Sequence, residues 1–300
     1  MKVGTVSIIG KPNAGKSTLI NALVGEKVSI VSWRPQTTRN KIIGIANGEK
    51  NGEKYQLIFS DTPGINHSKG KLFDYMAESV SVAAKDGNCI LYVIDGQKKI
   101  ADDDFENIEL YKKQTKKLIV VLNKMDVAAD EVFVGNLVSL NPVDGICVVP
   151  ISAEKRKNLE PLLDEILSVT EEGEECYPED MYTDRPMRFL VAEIIREKAL
   201  KFLQEEIPHG LGIDILKFEE RDDGLISIDA DIITERDNHK AIIIGKGGET
   251  LKRIATAARL EIEKLFDERV YLKLWVKVKP GWREDNSMLN MLGYNKKDLK

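Results

Sequence analysis

Short apolar runs alternate with amphipathic stretches through the first 170 residues. The runs are Thr5–Ile9, Ile42–Ala46, Tyr55–Phe59, Cys89–Ile94, Leu118–Leu122 and Cys147–Ile151. Several are almost uninterrupted by polar residues, the pattern of central strands covered by helices on both faces. Helical spacing fits Ser17–Val24, Asp102–Lys113, Glu131–Leu140 and Leu159–Val169. The alternation predicts an α/β domain over residues 1–170, a doubly wound and mostly parallel sheet. Between the second and third runs, Asn47-Gly48 to Asn51-Gly52 predicts a hairpin, which makes one strand an antiparallel edge.

The pattern changes after residues 171–184, where Glu171, Glu172, Glu174, Glu175, Glu179, Asp180 and Asp184 stand without a compensating base. This stretch reads as an acidic linker that couples two domains loosely. Beyond it the spacing predicts a helix over Met187–Leu203 and strands over Ile213–Phe218 and Leu225–Ile233, with a turn at Asp222-Asp223-Gly224. A Gly-rich loop, a long helix and a strand over Val270–Val278 complete a second, α+β domain at 185–279. Residues 280–300 form a tail with a short apolar helix at Met288–Leu292.

Composition narrows the class. At 42% apolar residues the chain can fill packed cores, and no run of about 18 apolar residues is present to span a membrane. Met1-Lys2 leads directly into a strand, so no signal peptide is expected. Cys89, Cys147 and Cys176 are odd in number and far apart, and His67, His209 and His239 are dispersed, which suits a reducing cytoplasm and offers no metal cluster. The net charge of −5 is uneven: residues 240–300 hold 14 Lys and Arg against eight Asp and Glu, a balance of +6, leaving −11 for the rest. Such a split marks either a nucleic-acid or membrane contact or a solvated face.

Chemistry enters at Gly10-Lys11-Pro12-Asn13-Ala14-Gly15-Lys16-Ser17-Thr18, between the first strand and the first helix. A loop at that junction points successive N–H groups and a helix N-terminus at one concavity, a ready phosphate site. Gly10 and Gly15 permit close approach, Lys16 can reach β- and γ-phosphates, and the Ser17 hydroxyl can ligate Mg²⁺. Asp61-Thr62-Pro63-Gly64 follows the third strand; Asp61 can hold a Mg²⁺ water and the Gly64 N–H can donate to a γ-phosphate. In Gln36-Thr37-Thr38-Arg39, Thr38 is the assigned Mg²⁺ ligand and Thr37 the competing one. Asn123-Lys124-Met125-Asp126 follows the fifth strand, at the carboxyl edge where nucleotides bind in such sheets. The Asp126 carboxylate can accept from guanine N1–H and the 2-amino group, whereas adenine would face it with a lone pair. Asn123 can brace the loops, the Lys124 stem can cover the base, and Ser152-Ala153 can offer a backbone N–H to guanine O6. The expected nucleotides are GTP and GDP, with Mg²⁺.

In the second domain Gly245-Lys246-Gly247-Gly248 lies between apolar residues and a helix whose apolar positions are Leu251, Ile254, Ala255, Ala258, Ile262, Leu265 and Phe266. This resembles the loop with which KH modules clamp single-stranded nucleotides, and the flanking order resembles a type II KH domain. Gly245, Lys246, Gly247, Gly248, Lys252 and Arg253 are the candidate RNA contacts, with Lys240 and Arg259 nearby in sequence. Trp282 is a further candidate, either stacking on a base or capping the core.

Together the motifs of the first domain resemble the translation-factor-like GTPases. The whole chain resembles the subfamily that carries a type II KH domain and acts in small-subunit assembly. That resemblance implies a cytoplasmic GTP-hydrolysing switch whose KH domain binds 16S rRNA near its 3′ end on a 30S precursor. It also implies peripheral contact with the inner membrane, and a monomer is expected. Ile65 stands where small signalling members carry a water-orienting Gln, so another group must place the nucleophile. In similar GTPases an Asn at the place of Asn13 helps bind K⁺ near the phosphates; the other reading of Asn13 is a turn residue. Lys16, Thr38, Gly64 and Asn13 are thus the catalytic candidates. Two other readings stay open: an RNA adaptor with a structural nucleotide domain, and a membrane or cell-cycle GTPase with incidental RNA affinity.

Overall fold

The computed structural model describes residues 1–32, 37–65, 68–204 and 207–296. Two compact units are present: one reaches Asp184, apart from the segment Lys69–Tyr75, which groups with the unit that begins at Arg185.

The first unit contains β1 (Lys2–Gly10), α1 (Lys16–Val24), β2 (Ile42–Lys50), β3 (Glu53–Asp61), α2 (Lys71–Asp86) from Met76 onward, and β4 (Cys89–Asp95). It continues with α3 (Asp102–Lys112), β5 (Lys117–Asn123), α4 (Asp130–Leu140), β6 (Cys147–Pro150), α5 (Leu159–Leu167) and β7 (Glu171–Glu172). The sheet order is β2-β3-β1-β4-β5-β6, parallel except for β2 on β3 and for β7 on β1. Asn51 and Gly52, both at positive φ, make the hairpin turn, while Asn47-Gly48 lies inside β2.

Alternation along the apolar strands splits their side chains between two cores. Val6, Ile8, Leu91, Val93, Ile119 and Val121 face Leu19 and Ile20 of α1 and Leu162 and Ile166 of α5. Ile9, Ile90, Tyr92, Ile94, Val120 and Leu122 face Val80 and Ala84 of α2, Ile108 and Tyr111 of α3 and Leu140 of α4. Helix α2 was not among the elements expected above. Its buried stripe of Leu72, Tyr75, Met76, Val80, Ala83 and Ala84 has helical spacing, but small residues make it inconspicuous.

The acidic stretch 171–184 is laid along the first unit by backbone and side-chain bonds. Gln56 accepts from the N–H of Cys176 and Tyr177 and donates to the Tyr177 carbonyl. Along the edge strand, Ile45 N–H donates to Tyr182 O at 2.8 Å and the Thr183 hydroxyl donates to Ile43 O at 2.7 Å. Here the charge pattern concealed a segment that covers a sheet edge.

The second unit contains α6 (Met187–Phe202), β8 (Gly212–Glu220), β9 (Ile226–Thr234), α7 (Asp237–Ile244), α8 (Glu249–Phe266), β10 (Val270–Val278) and α9 (Asn286–Met291). Its sheet is ordered β10-β9-β8, with β10 parallel and β8 antiparallel to β9. Ile226, Ile228, Ala230 and Ile232 of β9 enter a core with Val191 and Ile195 of α6 and Ile254, Ala258 and Ile262 of α8. Helix α7, formed from the residues before the Gly-rich loop, completes the α-β-β-α-α-β order. Leu265 is 37% exposed, so the buried stripe of α8 passes through Ile262 to Phe266 instead.

Candidate functional sites

The chain leaves β1 at Gly10 and enters α1 at Lys16, and Asn13 and Gly15 between them hold φ of 64° and 95°. Gly15 is required twice over. Its φ disfavours a side chain, and a Cβ would fall 2.2 Å from Asn123 Nδ2. That amide donates to Ala14 O at 2.9 Å, while Asn123 Oδ1 accepts from Ala153 N–H at 3.0 Å. One buried side chain therefore ties together the loops after β1, β5 and β6. Of the two backbone N–H groups of Ser152-Ala153 considered for guanine O6, that of Ala153 donates to Asn123 Oδ1 and that of Ser152 to Lys157 O at 3.2 Å, while the Ser152 hydroxyl accepts from Lys155 N–H.

Lys16 is buried, and its ammonium donates to Gly10 O and Lys11 O at 3.0 Å each. Burial lowers its pKa to about 8, against a raising influence from Asp61. The neighbouring Lys11 points its side chain elsewhere, to Asp103 at 2.6 Å and Asp104 at 2.7 Å, so its side chain is committed to α3.

Asp61 ends β3 fully buried, and burial raises its pKa against the opposing pull of Lys16 and three hydroxyls. Ser17 Oγ donates to Asp61 Oδ2 at 2.7 Å, Thr38 Oγ1 lies 3.3 Å from the same oxygen, and the two hydroxyls are 2.8 Å apart. Asp61 Oδ1 is buried without a hydrogen-bond partner. This oxygen-only cluster fits a hard dication such as Mg²⁺. Thr38 is the threonine joined to it. Thr37 lines the adjoining cavity, and Gln36 lies outside the described residues.

That cavity, about 460 Å³, is lined by Pro12, Asn13, Gly15, Lys16, Ser17 and Thr18 on one side and by Thr38, Gly64 and Lys124 on others. Gly64 packs on the phosphate loop: a Cβ there would meet Pro12 N at 2.8 Å. The Thr62 hydroxyl donates to Ile8 O, and Pro63 continues the loop. Ile65 donates its N–H to Gly10 O at 3.2 Å and packs its side chain, partly buried, against the α2–α3–α4 face of the core. Asn13 is exposed at the cavity wall in the left-handed conformation, a geometry compatible with either reading of it.

In the loop after β5, Lys124 holds φ of 67° and its ammonium meets Asp95 at 2.7 Å. Asp126 Oδ1 is buried without a partner, which is costly unless an incoming donor satisfies it. Asp95, Gln97 and Lys98 also line the cavity, and no motif marked them.

In the second unit, Gly245, Gly247 and Gly248 hold φ of 75°, 61° and 81°. A Cβ on Gly245 would meet Thr250 N at 2.9 Å, whereas Gly247 and Gly248 face open space. Lys246 and Lys252 are exposed, as is Arg253, whose guanidinium lies 4.8 Å from the Phe202 ring centroid. The loop thus presents backbone and positive charge with no side chain in the way.

Of the two readings of Trp282, the structure contradicts the RNA contact and supports the core. The residue is 0% exposed, donates Nε1–H to Gly210 O at 3.0 Å and stacks on Tyr294, so its ring is core and cannot meet a base.

Residues 5–124 match the family described as 50S ribosome-binding GTPase, and residues 206–283 match the KH domain. GTPase Era of Clostridium novyi (strain NT) is 45% identical over 98% of this chain and 99% of its own length. GTPase Era of Ruminiclostridium cellulolyticum is 43% identical over 98% and 97%. Two solved structures each align at a TM-score of 0.92 and 40% identity, over 98% of this chain and 99% of theirs. One is an Aquifex aeolicus Era variant bound to GDP.AlF4-, the other Era in complex with MgGDPNP and nucleotides 1506-1542 of 16S ribosomal RNA. Fold and sites define the chain as a phosphate-loop GTPase joined to a C-terminal KH domain. Within that class, it belongs to the GTPase Era family.

Proposed function

We propose that the chain is a GTP-driven switch of small-subunit assembly: it binds single-stranded 16S rRNA near the 3′ end through its KH domain, on a 30S precursor in the cytoplasm. The observation that carries this reading is the likeness, across 98% of the chain, to an Era structure holding both MgGDPNP and nucleotides 1506-1542 of 16S ribosomal RNA. Asp126 would receive guanine, Lys16 and the loop N–H groups would receive the phosphates, and Ser17, Thr38 and Asp61 would hold Mg²⁺. The ion supplies positive charge to the phosphates as negative charge develops on them. The Gly64 N–H would donate to the γ-phosphate, which gives its loop and that of Thr38 a reason to order with GTP.

The test is crosslinking of the full chain to total RNA in its GTP- and GDP-bound states, followed by sequencing. Enrichment of the 16S 3′ region with GTP is expected. Equal recovery in both states removes the switch, and recovery of other RNA removes the target. Basal turnover dependent on Lys16 separates this reading from an RNA adaptor. For Asn13, replacing Na⁺ by K⁺ is expected to accelerate hydrolysis; equal rates in the two salts leave it a turn residue.

A further inference from the structure

Asp61 has a third hydroxyl partner that belongs to no motif. Ser29, in the loop after α1, is 2% exposed, and its Oγ donates to Asp61 Oδ2 at 2.7 Å. That loop is fastened to α1 by Asn21, one helical turn beyond Ser17. Asn21 Oδ1 accepts from Val28 N–H at 3.0 Å and from Ser29 N–H at 2.9 Å, and its Nδ2 donates to Ser29 O at 2.7 Å. Both backbone polar groups of Ser29 are therefore pinned to one side chain, which restricts where its hydroxyl can point.

The three hydroxyls on Asp61 Oδ2 have different anchors. Ser17 belongs to the phosphate loop and helix α1, and Thr38 to the loop that leads into β2; both are candidate metal ligands. Ser29 is anchored through Asn21, on the flank of α1. A carboxylate has about four lone-pair directions and rotates unless fixed donors select one. Groups that orient a metal-binding carboxylate in this way commonly change metal affinity by about 10- to 100-fold when removed.

We propose that Ser29 is a positioning residue for Mg²⁺: its hydroxyl, held by Asn21, fixes the rotation of the Asp61 carboxylate relative to Ser17 and Thr38. This rests on reading those three residues as the Mg²⁺ site. The consequence is that the metal site extends into the loop after α1, and that its stiffness depends on a bond no nucleotide touches.

The test measures release of a fluorescent GDP analogue from the full chain as MgCl₂ is titrated, with EDTA as the metal-free reference. Ser29→Cys is nearly isosteric and offers only a weak donor; Ser29→Thr keeps the hydroxyl. Ser29→Cys is expected to raise the Mg²⁺ midpoint by about tenfold or more, with release in EDTA unchanged and Ser29→Thr near wild type. Ser29→Ala gives the same comparison if one variant folds poorly. An unmoved midpoint in the folded Cys and Ala variants overturns the proposal, as does release that accelerates equally with and without Mg²⁺. If Mg²⁺ does not slow release from the wild-type chain, the metal-site reading itself is overturned.

Discussion

The two sites of this chain are built on opposite principles. The nucleotide site draws on segments far apart in sequence and locks them with buried side-chain bonds: Asn123 to Ala14 and Ala153, and three hydroxyls to Asp61. The Gly245–Gly248 loop is a single local turn whose last two glycines meet nothing and whose lysine is exposed. The first arrangement can discriminate atoms, because a wrong ligand leaves buried polar groups unpaired. The second can accommodate a backbone, because close approach and charge are all it offers. A site that must tell guanine from adenine needs rigidity, and one that clamps phosphates along a strand needs access.

The comparison is broken most directly at Asp126. Asp126→Asn is expected to reverse base preference from guanosine to xanthosine nucleotides, with a loss of GTP affinity on the order of 10³- to 10⁴-fold. Competition binding with GTP and XTP measures it, and retained guanine selectivity would refute the base assignment.

Next in size is a pair of glycines. In Gly15→Ala the new methyl collides with Asn123 Nδ2, the bond that joins three loops, at a φ of 95°. Nucleotide affinity is expected to fall about 100-fold, as strain and a displaced amide of about 1–3 kcal/mol each imply. Gly247→Ala, with open space around its Cβ, incurs only left-handed backbone strain of about 1–2 kcal/mol and leaves GTP binding intact. Equal losses of GTP binding in the two variants would remove the distinction between a cross-braced and a local site.

Much of this contrast was legible in the sequence, for unequal reasons. The phosphate loop, Asp61 and Asp126 are recognisable because their chemistry requires particular residue types at fixed spacing. Ser29 and Asn21 are ordinary residues whose role exists only once α1 and the next loop are folded together. Asp95 likewise depends on the parallel pairing of β4 with β5. Helix α7 could not be delimited from the sequence because Ile242-Ile243-Ile244 has β-branched residues in succession; the chain is helical there because Ile243 enters the core and Gly245 ends the helix. Trp282 was ambiguous in the sequence for a different reason. An aromatic residue beside a basic segment fits nucleic acid, yet its buried indole pairs with Gly210 O and Tyr294.

The buried indole of Trp282 also contributes to stability. Trp282→Phe keeps most of the ring but leaves the buried Gly210 carbonyl without its donor, at a cost of about 1–3 kcal/mol. Denaturant unfolding should show the loss, while RNA affinity of the folded variant stays unchanged. A drop in RNA affinity at full stability would return Trp282 to the binding surface.

The smallest effect tests the loop itself. Lys246 is exposed in the turn between α7 and α8, so in Lys246→Ala it removes charge without disturbing the core. If it meets a phosphate, single-stranded RNA affinity falls several-fold, and the slope of log affinity against log salt drops by about 0.7. The loss should be nearly the same for every RNA sequence, because a phosphate contact positions the strand and does not read its bases. Basal GTP turnover is unaffected by the same substitution. A loss confined to one RNA sequence, with the salt slope unchanged, would mean that Lys246 contacts a base edge, and the local loop would then discriminate atoms as the nucleotide site does.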